Sequence, residues 1–483
     1  MITQIEIDGF KTFKDFKVEL APFQVIVGPN GAGKSNLFDA LHLLSRLVDL
    51  DLRSALQGPR GNANELFTAF PDGNFSNYID IKVEMLVDRK VTDGYGDQVE
   101  LKYTRLRYEL KIAFSTDNDG IERLFIMHES LKGIALEQDK WTKQYIHPFE
   151  RDWLPPRSSC QAIFIDKALT KDGTAIVLHK EGRNKGRNKQ RSFLAEKAER
   201  SVLSSVTTTE HPHAFAARQE ILFWRFLHLL NLDVLRTPSS VKAPGFLSED
   251  GKNLAAMLAR IGDEDPLALR DLSLDMANLV PGVLTIKIER DLVDNEYTVK
   301  AQAEDGRVFS SRVLSDGTLR LLALTAICND PTFHGVIGIE EPENGVHPFQ
   351  LKYMARLLRG TATDFKDLEQ VNEPLRQVLV TTHSPVFICQ PQVIDSLLFA
   401  LTVLQVQPGD YSLSTTHMVP VVPSDLQAGL EEENYHSKAE RSYSIHQVLK
   451  YLDTDLFDKA RANFDEGCSS IQETSAYRFR YSL

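Results

Sequence analysis

The sequence has few cysteines and no long apolar run. Its four cysteines lie far apart in 483 residues without a Cys-x-x-Cys pair, which argues against a disulfide framework and a zinc site. An apolar stretch such as 397–404 is far shorter than the roughly 18 residues that a membrane-spanning helix needs. The first residues also lack a basic region followed by an apolar core, so no secretory signal is predicted. We expect a cytoplasmic protein with no membrane partner.

Positive charge is also in deficit. The chain has 55 Lys and Arg against 67 Asp and Glu, for a net charge of -12. This balance excludes a protein that coats nucleic acid with its whole surface and confines any such contact to a local patch. The candidate patch is a repeated Gly-Arg-Asn-Lys at 182–189, with Arg183, Lys185, Arg187 and Lys189 as its basic side chains. A solvated surface loop is an equally good interpretation of this run.

Sustained heptads are missing as well. Ten prolines fall between Ser35 and Ser310, and no heptad pattern continues across the gaps between them, which argues against a long coiled-coil arm. Buried-strand patterns instead alternate with helical ones, as at 23–27 followed by 36–48. The alternation predicts an α/β fold.

The strongest motif is a phosphate-binding loop, Gly-Pro-Asn-Gly-Ala-Gly-Lys-Ser, between the strand and the helix just described. Its glycines let backbone N–H groups turn inward around phosphate oxygens, and the helix start adds a partial positive charge. Lys34 is expected to reach the β- and γ-phosphates of ATP, and the Ser35 hydroxyl to ligate Mg²⁺. The nucleotide-binding residues predicted here are Gly28, Asn30, Gly31, Gly33, Lys34, Ser35 and Asn36.

Two later strand patterns end in residues suited to hydrolysis. Glu340 and Glu341 follow an apolar strand, which places Glu340 near Mg²⁺ and Glu341 where it would deprotonate the attacking water. A solvated acidic strand end is less favoured, because adjacent carboxylates rarely end a buried strand without a cation nearby. His383 ends a second buried strand, and its imidazole would contact the γ-phosphate or the water.

A fourth motif opens a helix at 313–320. Ser315 is a candidate N-cap, and Gly317 would let backbone amides approach an anion. Alone, this pattern is more typical of an ordinary helix start.

Taken in order, these motifs resemble those of ABC-type ATPases in the non-transporter branch that includes SMC, RecF and OLD-like proteins. Within that branch, the resemblance is closest to small ATPases found beside nuclease partners in bacterial anti-phage systems. Glu340 stands where the branch usually has Asp, and Asp316 where it usually has Gly. The segments that carry the resemblance are 9–13, 28–36, 314–324, 339–348 and His383.

The resemblance implies an ABC-ATPase head with an antiparallel β subdomain, a central mixed sheet carrying the phosphate loop, and a helical or irregular insertion. It also implies a head-to-tail, ATP-sandwiched dimer, or a higher oligomer, in which Ser315 acts in trans on nucleotide held by Lys34. The expected units are a first ATPase lobe at 1–115, the insertion with the basic loop at 116–230, a second lobe at 231–390, and a helical, partner-docking segment at 391–483.

Three functions fit these expectations. The favoured one is an ATP-hydrolysing switch that controls a separate effector, a nuclease or toxin, in anti-phage defence. The alternative is a RecF-like DNA-repair or DNA-clamp ATPase, in which DNA binding is itself the function. The ATP-binding subunit of a transporter is disfavoured, because Lys34 and Ser315 lie much further apart than the matching motifs of transporter subunits.

Overall fold

A computed structural model describes residues 1–57, 63–116, 122–135, 137–146, 153–154, 162–170, 173–179, 191–227, 232–407, 411–422 and 443–452. The strands are β1 Ile2–Asp8, β2 Phe16–Glu19, β3 Phe23–Val27, β4 Tyr78–Leu86, β5 Lys90–Thr92, β6 Gln98–Glu100, β7 Arg105–Thr116, β8 Glu122–Gly133, β9 Ile163–Thr170, β10 Gly173–Leu178, β11 Arg191–Leu194, β12 Arg225–Leu227, β13 Ser239–Ser240, β14 Val283–Asp291, β15 Glu296–Ala303, β16 Val308–Ser310, β17 Gly335–Glu340, β18 Arg376–Thr382, β19 Leu397–Gln407, β20 Tyr411–Val422 and β21 Tyr443–Ser444.

The helices are α1 Lys34–Leu47, α2 Leu52–Leu56, α3 Lys140–Tyr145, α4 Pro212–Leu222, α5 Leu232–Arg236, α6 Leu254–Glu264, α7 Pro266–Leu279, α8 Asp316–Cys328, α9 Leu351–Thr361, α10 Pro385–Ile388 and α11 Ile445–Tyr451. Among the residues that the structure describes, no helix is both long and apolar enough to cross a bilayer.

A central mixed sheet carries the phosphate loop, as expected. Its strand order is β12-β17-β18-β3-β19-β20-β21, with parallel pairing from β12 through β19 and an antiparallel β19–β20 hairpin. All five residues of β3 are buried. Ile26 packs into the core on one face, whereas Val25 and Val27 pack into the core on the other. The continuous apolar run at 23–27 thus reflects a strand covered on both sides.

A second sheet is wholly antiparallel and forms the β subdomain. Its order is β11-β10-β9-β8-β7-β4-β1-β2. The expected helical or irregular insertion is therefore wrong for the described residues between 122 and 194, most of which lie in β8, β9, β10 and β11 of this sheet. The sequence pattern did not indicate these strands in part because the inward face of β8 is not uniformly apolar.

Glu129 is the residue that interrupts this inward face. Its carboxylate is fully buried and accepts hydrogen bonds from the Tyr108 hydroxyl at 3.0 Å and from the backbone N–H groups of Val202 and Leu203 at 2.7 and 2.8 Å. Burial raises the pKa of Glu129 to about 7, although these donors act in the opposite direction. A buried glutamate breaks the alternation from which a strand is normally predicted.

The chain beyond 390 also differs from expectation. The predicted helical segment is wrong for 397–422, because β19 and β20 extend the central sheet; α11 is helical. Leu397 in β19 pairs with Val25 in β3, next to the phosphate loop. A short apolar run such as 397–404 does not by itself distinguish a buried strand from a helix. Helix α4 ends at Leu222, and strand β12 follows at the edge of the central sheet.

Gln377 in β18 joins the two large sheets. Its side chain is fully buried and donates to the carbonyl oxygens of Ile2 and Ala21, at 2.7 and 2.9 Å. Its Oε1 accepts the Ile2 N–H at 2.7 Å. One amide thus satisfies three backbone groups where β1 meets the central sheet.

Replacing Gln377 with Leu should lower the free energy of unfolding by about 2–4 kcal/mol, since buried backbone groups left without partners cost about 1–3 kcal/mol each. Urea denaturation followed by circular dichroism measures this change. Q98L is the matched control, because Gln98 is exposed in β6 and should change stability by less than about 0.5 kcal/mol. Equal midpoints for Q377L and Q98L would contradict the role of Gln377.

Candidate nucleotide site

The register of β3, β18 and β17 brings the predicted site residues together. In the central sheet, Ile26 of β3 pairs with Thr381 of β18, and Thr381 pairs with Glu340 of β17. All three strands run parallel, so their carboxyl ends meet at one edge of the sheet. The phosphate loop, the Glu340–Glu341 pair and His383 all follow strands that end at this edge.

The phosphate loop is shaped by two glycines in left-handed conformations. Gly31 and Gly33 have φ of 82° and 88°, and α1 begins immediately after Gly33 at Lys34. A Cβ on Gly33 would lie 2.1 Å from the Thr416 Oγ1, whereas nothing lies within 4 Å of a Cβ on Gly31. The loop therefore presents the open start of a helix, and the β19–β20 hairpin packs closely behind it.

Threonine side chains link this hairpin to the loop. The Thr416 backbone N–H donates to the Thr12 carbonyl at 3.0 Å, and the two threonine hydroxyls are 2.7 Å apart. The Asn36 amide donates to the Thr12 Oγ1 at 2.9 Å. Thr416 has no signal in the sequence that would have predicted this contact, because it lies nearly 400 residues after the loop and in no recognisable motif.

Lys34 is held across the loop. Its side chain is largely buried, and Nζ donates to the carbonyl oxygens of Gly28 and Pro29 at 2.6 and 2.9 Å. Burial lowers the pKa of Lys34, against the opposing charges of the nearby Glu341, Glu343 and Glu340. The negative charge of these carboxylates favours the protonated form of the Lys34 ammonium group.

A pocket of about 170 Å³ opens at this edge of the sheet. It brings most of the predicted phosphate-loop residues together with both predicted carboxylates and Thr381. In the part of the chain that the structure describes, Ser315, Gly317 and His383 do not line this pocket. The lining residues are Asn30, Gly31, Gly33, Lys34, Ser35, Asn36, Glu340, Glu341 and Thr381.

Glu341 is held in a strained and well-defined position. Its φ of 46° is uncommon for a residue with a side chain, and its backbone N–H donates to the Thr381 carbonyl at 2.9 Å. Oε1 lies 3.1 Å from the His383 Nδ1, and Oε2 accepts the Asn344 amide at 2.6 Å. Both carboxylate oxygens are therefore oriented while the side chain stays one-third exposed. Such strain is typical of functional sites.

Glu343 is a third carboxylate in this segment, and it is not among the site residues predicted from the sequence. It is buried, and the Thr382 hydroxyl donates to its Oε1. Burial raises the pKa of the Glu343 carboxyl, against the hydrogen bond from Thr382. Its place two residues after Glu341, in Glu-Glu-Pro-Glu, was the only available signal.

The first turn of α8 lies outside this pocket. Ser315 caps the helix as predicted by accepting the Thr318 N–H at 3.3 Å, and it is exposed. Packing also requires glycine at 317, because a Cβ there would lie 2.2 Å from the Gly345 carbonyl oxygen. Arg183, Lys185, Arg187 and Lys189 lie outside the described residues.

Two family models match the chain. "AAA ATPase domain" matches residues 1–210, and "AAA domain, putative AbiEii toxin, Type IV TA system" matches residues 188–388. Both models describe AAA-type domains, and together they span residues 1–388.

Curated proteins with similar sequences give a more specific comparison. The DNA replication and repair protein RecF of Vibrio campbellii is 26% identical over 51% of this chain and 59% of its own length. RecF of Vibrio vulnificus is 28% identical over 41% and 46%, respectively. The chromosome partition protein Smc of Bordetella petrii is 30% identical over 20% of this chain and 10% of its own length. The chain thus spans about half the length of the RecF relatives that it matches, and it is similar to SMC/RecF-type proteins and to an AbiEii-like AAA domain.

Solved structures are also similar to this chain, at a lower sequence identity. An Smc head bound to the C-terminal winged-helix domain of ScpA has a TM-score of 0.47 at 12% identity, covering 86% of this chain and 97% of that one. An Smc head from Pyrococcus furiosus with an extended coiled coil, bound to the C-terminal domain of ScpA, has a TM-score of 0.43 at 12% identity, covering 89% and 98%.

The residues that line the pocket have the chemistry needed to bind a nucleotide together with Mg²⁺. Backbone N–H groups at the start of α1 and the Lys34 ammonium suit phosphate oxygens. Ser35 and Glu340 line the same pocket and carry the oxygen donors that Mg²⁺ prefers. Bound there, Mg²⁺ would neutralise phosphate charge.

Substituting Ala at Gly33 and at Gly31 should give unequal losses of ATP affinity. G31A adds only backbone strain of about 1–2 kcal/mol, which corresponds to roughly 5- to 30-fold weaker binding. G33A adds the same strain and the contact with Thr416, so its loss should exceed about 100-fold. Titration with a fluorescent ATP analogue measures both dissociation constants. Equal losses would show that the hairpin behind the loop does not shape the site.

Proposed function

We propose that this protein hydrolyses ATP with Glu341 as the general base. The observation that carries the proposal is the single pocket lined by Lys34, Ser35, Glu340 and Glu341. Glu341 stays partly exposed, and its carboxylate is oriented by His383 and by Asn344. A carboxylate placed in this way can accept a proton from a water molecule.

Each side chain has a defined task in the proposed reaction. Lys34 exchanges its bonds to the Gly28 and Pro29 carbonyl oxygens for phosphate oxygens. Glu341 takes the proton of the attacking water, while His383 orients the carboxylate. The water oxygen bonds to the γ-phosphorus as the bond to the bridging oxygen breaks, which leaves ADP and phosphate.

The position of Ser315 supports a head-to-tail dimer. Ser315 is exposed at the start of α8 and lies outside the pocket of its own chain. Such a residue can complete the nucleotide site of a second copy. ATP would then bind the closed dimer better than the open one, and hydrolysis would remove this difference.

We further propose that this ATP cycle operates a switch that controls a separate effector in anti-phage defence. The support is the AbiEii-like family match, whose description names a toxin and a toxin–antitoxin system. The net charge of -12 also favours a protein partner over extended contact with nucleic acid. A nuclease or a toxin is the expected effector.

Replacing Glu341 with Gln should keep ATP binding and slow hydrolysis by about 10²–10⁴-fold, because Gln cannot accept the proton. The variant should accumulate as an ATP-loaded dimer. Phosphate release measures the first effect, and light scattering behind size-exclusion chromatography measures the second. H347Q, in the same loop and outside the pocket lining, is the control. Near-normal hydrolysis by E341Q would place the base elsewhere.

The unmodified protein tests the trans site independently. Turnover per subunit should fall as the protein is diluted below its dimerisation constant, since each site needs Ser315 of another copy. An unchanged turnover deep in a verified monomer regime excludes the trans site.

A DNA-repair or DNA-clamp ATPase is the second candidate, favoured by the two RecF relatives. In that case DNA affinity should fall steeply with salt. Neutralising Arg183, Lys185, Arg187 and Lys189 together should then flatten the log–log slope by about 3–4, at roughly 0.9 per phosphate contact. Fluorescence anisotropy with duplex DNA at several salt concentrations measures this slope. K352Q/R356Q is the control, since both residues are exposed on α9. Absent DNA binding, with co-purification of a nuclease or toxin, supports the switch.

A further inference from the structure

A carboxylate stands beside the serine of the proposed trans site. Asp316 is the first residue of α8 and follows Ser315 directly, and its side chain is 64% exposed. A carboxylate in the first turn stabilises a helix, because it interacts with the partial positive charge of the unpaired backbone N–H groups. It also adds negative charge at the place where the proposed dimer brings the phosphates of a second copy. Asp316 on its own would therefore oppose that contact.

Arg236, the last residue of α5, compensates this charge. One nitrogen of its guanidinium group, Nη2, donates to the Asp316 Oδ1 at 2.6 Å and to the Leu314 carbonyl oxygen at 3.1 Å. The same nitrogen thus contacts the residue before Ser315 and the residue after it. The bond to Asp316 is of the strong, charge-assisted kind, and it directs the carboxylate towards α5. Arg236 therefore neutralises the turn and also fixes its backbone.

A further bond joins α5 to the segment that leads into α8. Ser311 is buried, and its hydroxyl donates to the Arg236 carbonyl oxygen at 3.1 Å. The Arg236 Nη1 donates to the Asp233 Oδ1 at 3.4 Å, but the Asp233 side chain is almost fully exposed, so solvent screens this pair. The segment 311–316 is thus held against α5 by these bonds, and the position of Ser315 depends on Arg236.

The stability of a single chain gives little reason for the ion pair between Arg236 and Asp316. Both side chains are in contact with solvent, and ion pairs exposed to water contribute little to stability. The pair would matter more once a second copy covers the turn and removes water from it. An unpaired Asp316 carboxylate would then lie close to like charge in surroundings that screen it poorly. We therefore expect Arg236 to act mainly on the association of two copies.

We propose that Arg236 is a positioning residue for the turn that bears Ser315, and that its ion pair with Asp316 sets how strongly nucleotide drives two copies together. This inference rests on the proposed head-to-tail dimer. With Arg236 in place, the carboxylate is held aside, and Ser315 is open to the phosphates of the second copy. Without Arg236, Asp316 repels those phosphates. Arg236 is not among the described residues that line the pocket of its own chain, so a single subunit binds nucleotide without it.

Association of the full chain in the presence of the non-hydrolysable analogue AMP-PNP tests the proposal. R236Q removes the positive charge and keeps a side-chain donor, and it should weaken the AMP-PNP-bound dimer by at least about 30-fold. D316N removes the negative charge and should strengthen that dimer by about 2- to 10-fold. Sedimentation velocity over a range of protein concentrations measures both dimerisation constants. A dimer of R236Q as strong as that of the unmodified protein would overturn the proposal.

The double variant R236Q/D316N separates the charge from a purely structural role. If Arg236 acts by neutralising Asp316, the double variant should dimerise within about fivefold of the unmodified protein. A loss as large as that of R236Q alone would show that the charge of Asp316 is irrelevant, and so would a weaker dimer of D316N. Nucleotide affinity of dilute subunits, measured with a fluorescent ATP analogue, should be unchanged in all three variants.

R359Q is the matched control. Arg359 donates to both carboxylate oxygens of Asp395, at 3.1 and 3.2 Å, and both side chains are partly exposed. Its guanidinium group lies over the ring of Phe23, at the start of β3 and thus at the opposite edge of the central sheet from the pocket. Association with AMP-PNP should be unchanged in R359Q. A loss equal to that of R236Q would overturn a specific role for Arg236.

The unmodified protein separates this inference from the proposed function. If AMP-PNP produces no dimer of the unmodified protein, the proposed dimer is wrong and this inference fails with it. If the unmodified protein dimerises and R236Q dimerises equally well, only the role of Arg236 is wrong.

Discussion

The parallel pairing of β3, β18 and β17 is the constraint on which the site depends. Each strand is short and buried, and each is followed by residues that no other part of the fold could bring together. The register that places Ile26, Thr381 and Glu340 side by side sets the phosphate loop against the paired carboxylates. A shift of one residue in β17 would turn Glu340 to the other face of the sheet. The chemistry therefore rests on backbone pairing between segments more than 300 residues apart.

Charge balance at this edge is the second organising feature. Burial lowers the pKa of Lys34 and raises that of Glu343, so each of these groups is costly to ionise alone. The Lys34 ammonium group and the neighbouring carboxylates nevertheless lie close together at this edge of the sheet. A nucleotide with Mg²⁺ in the proposed site would add both negative phosphates and positive charge to this cluster, which would link nucleotide state to local electrostatics.

Support behind the site comes from an unexpected part of the chain. The β19–β20 hairpin packs on the glycines of the phosphate loop, and Thr416 is linked to Asn36 through Thr12. On the opposite side, the first turn of α8 rests on Gly345. Close packing within the chain is one reason for glycine at 33 and at 317, and the left-handed conformation of Gly33 is another.

The sequence alone determined the features that depend on near neighbours. The phosphate loop, its flanking strand and helix, the Ser315 cap and the strands that end at Glu340 and His383 follow from local pattern and spacing. Tertiary structure decided the rest. Buried Glu129 obscured the strand pattern of β8, and the apolar run at 397–404 fitted either a helix or a strand. Thr416 and Glu343 gained their positions only through distant partners. Local periodicity reports which face of an element is buried, whereas the partner that buries it is chosen by the folded chain.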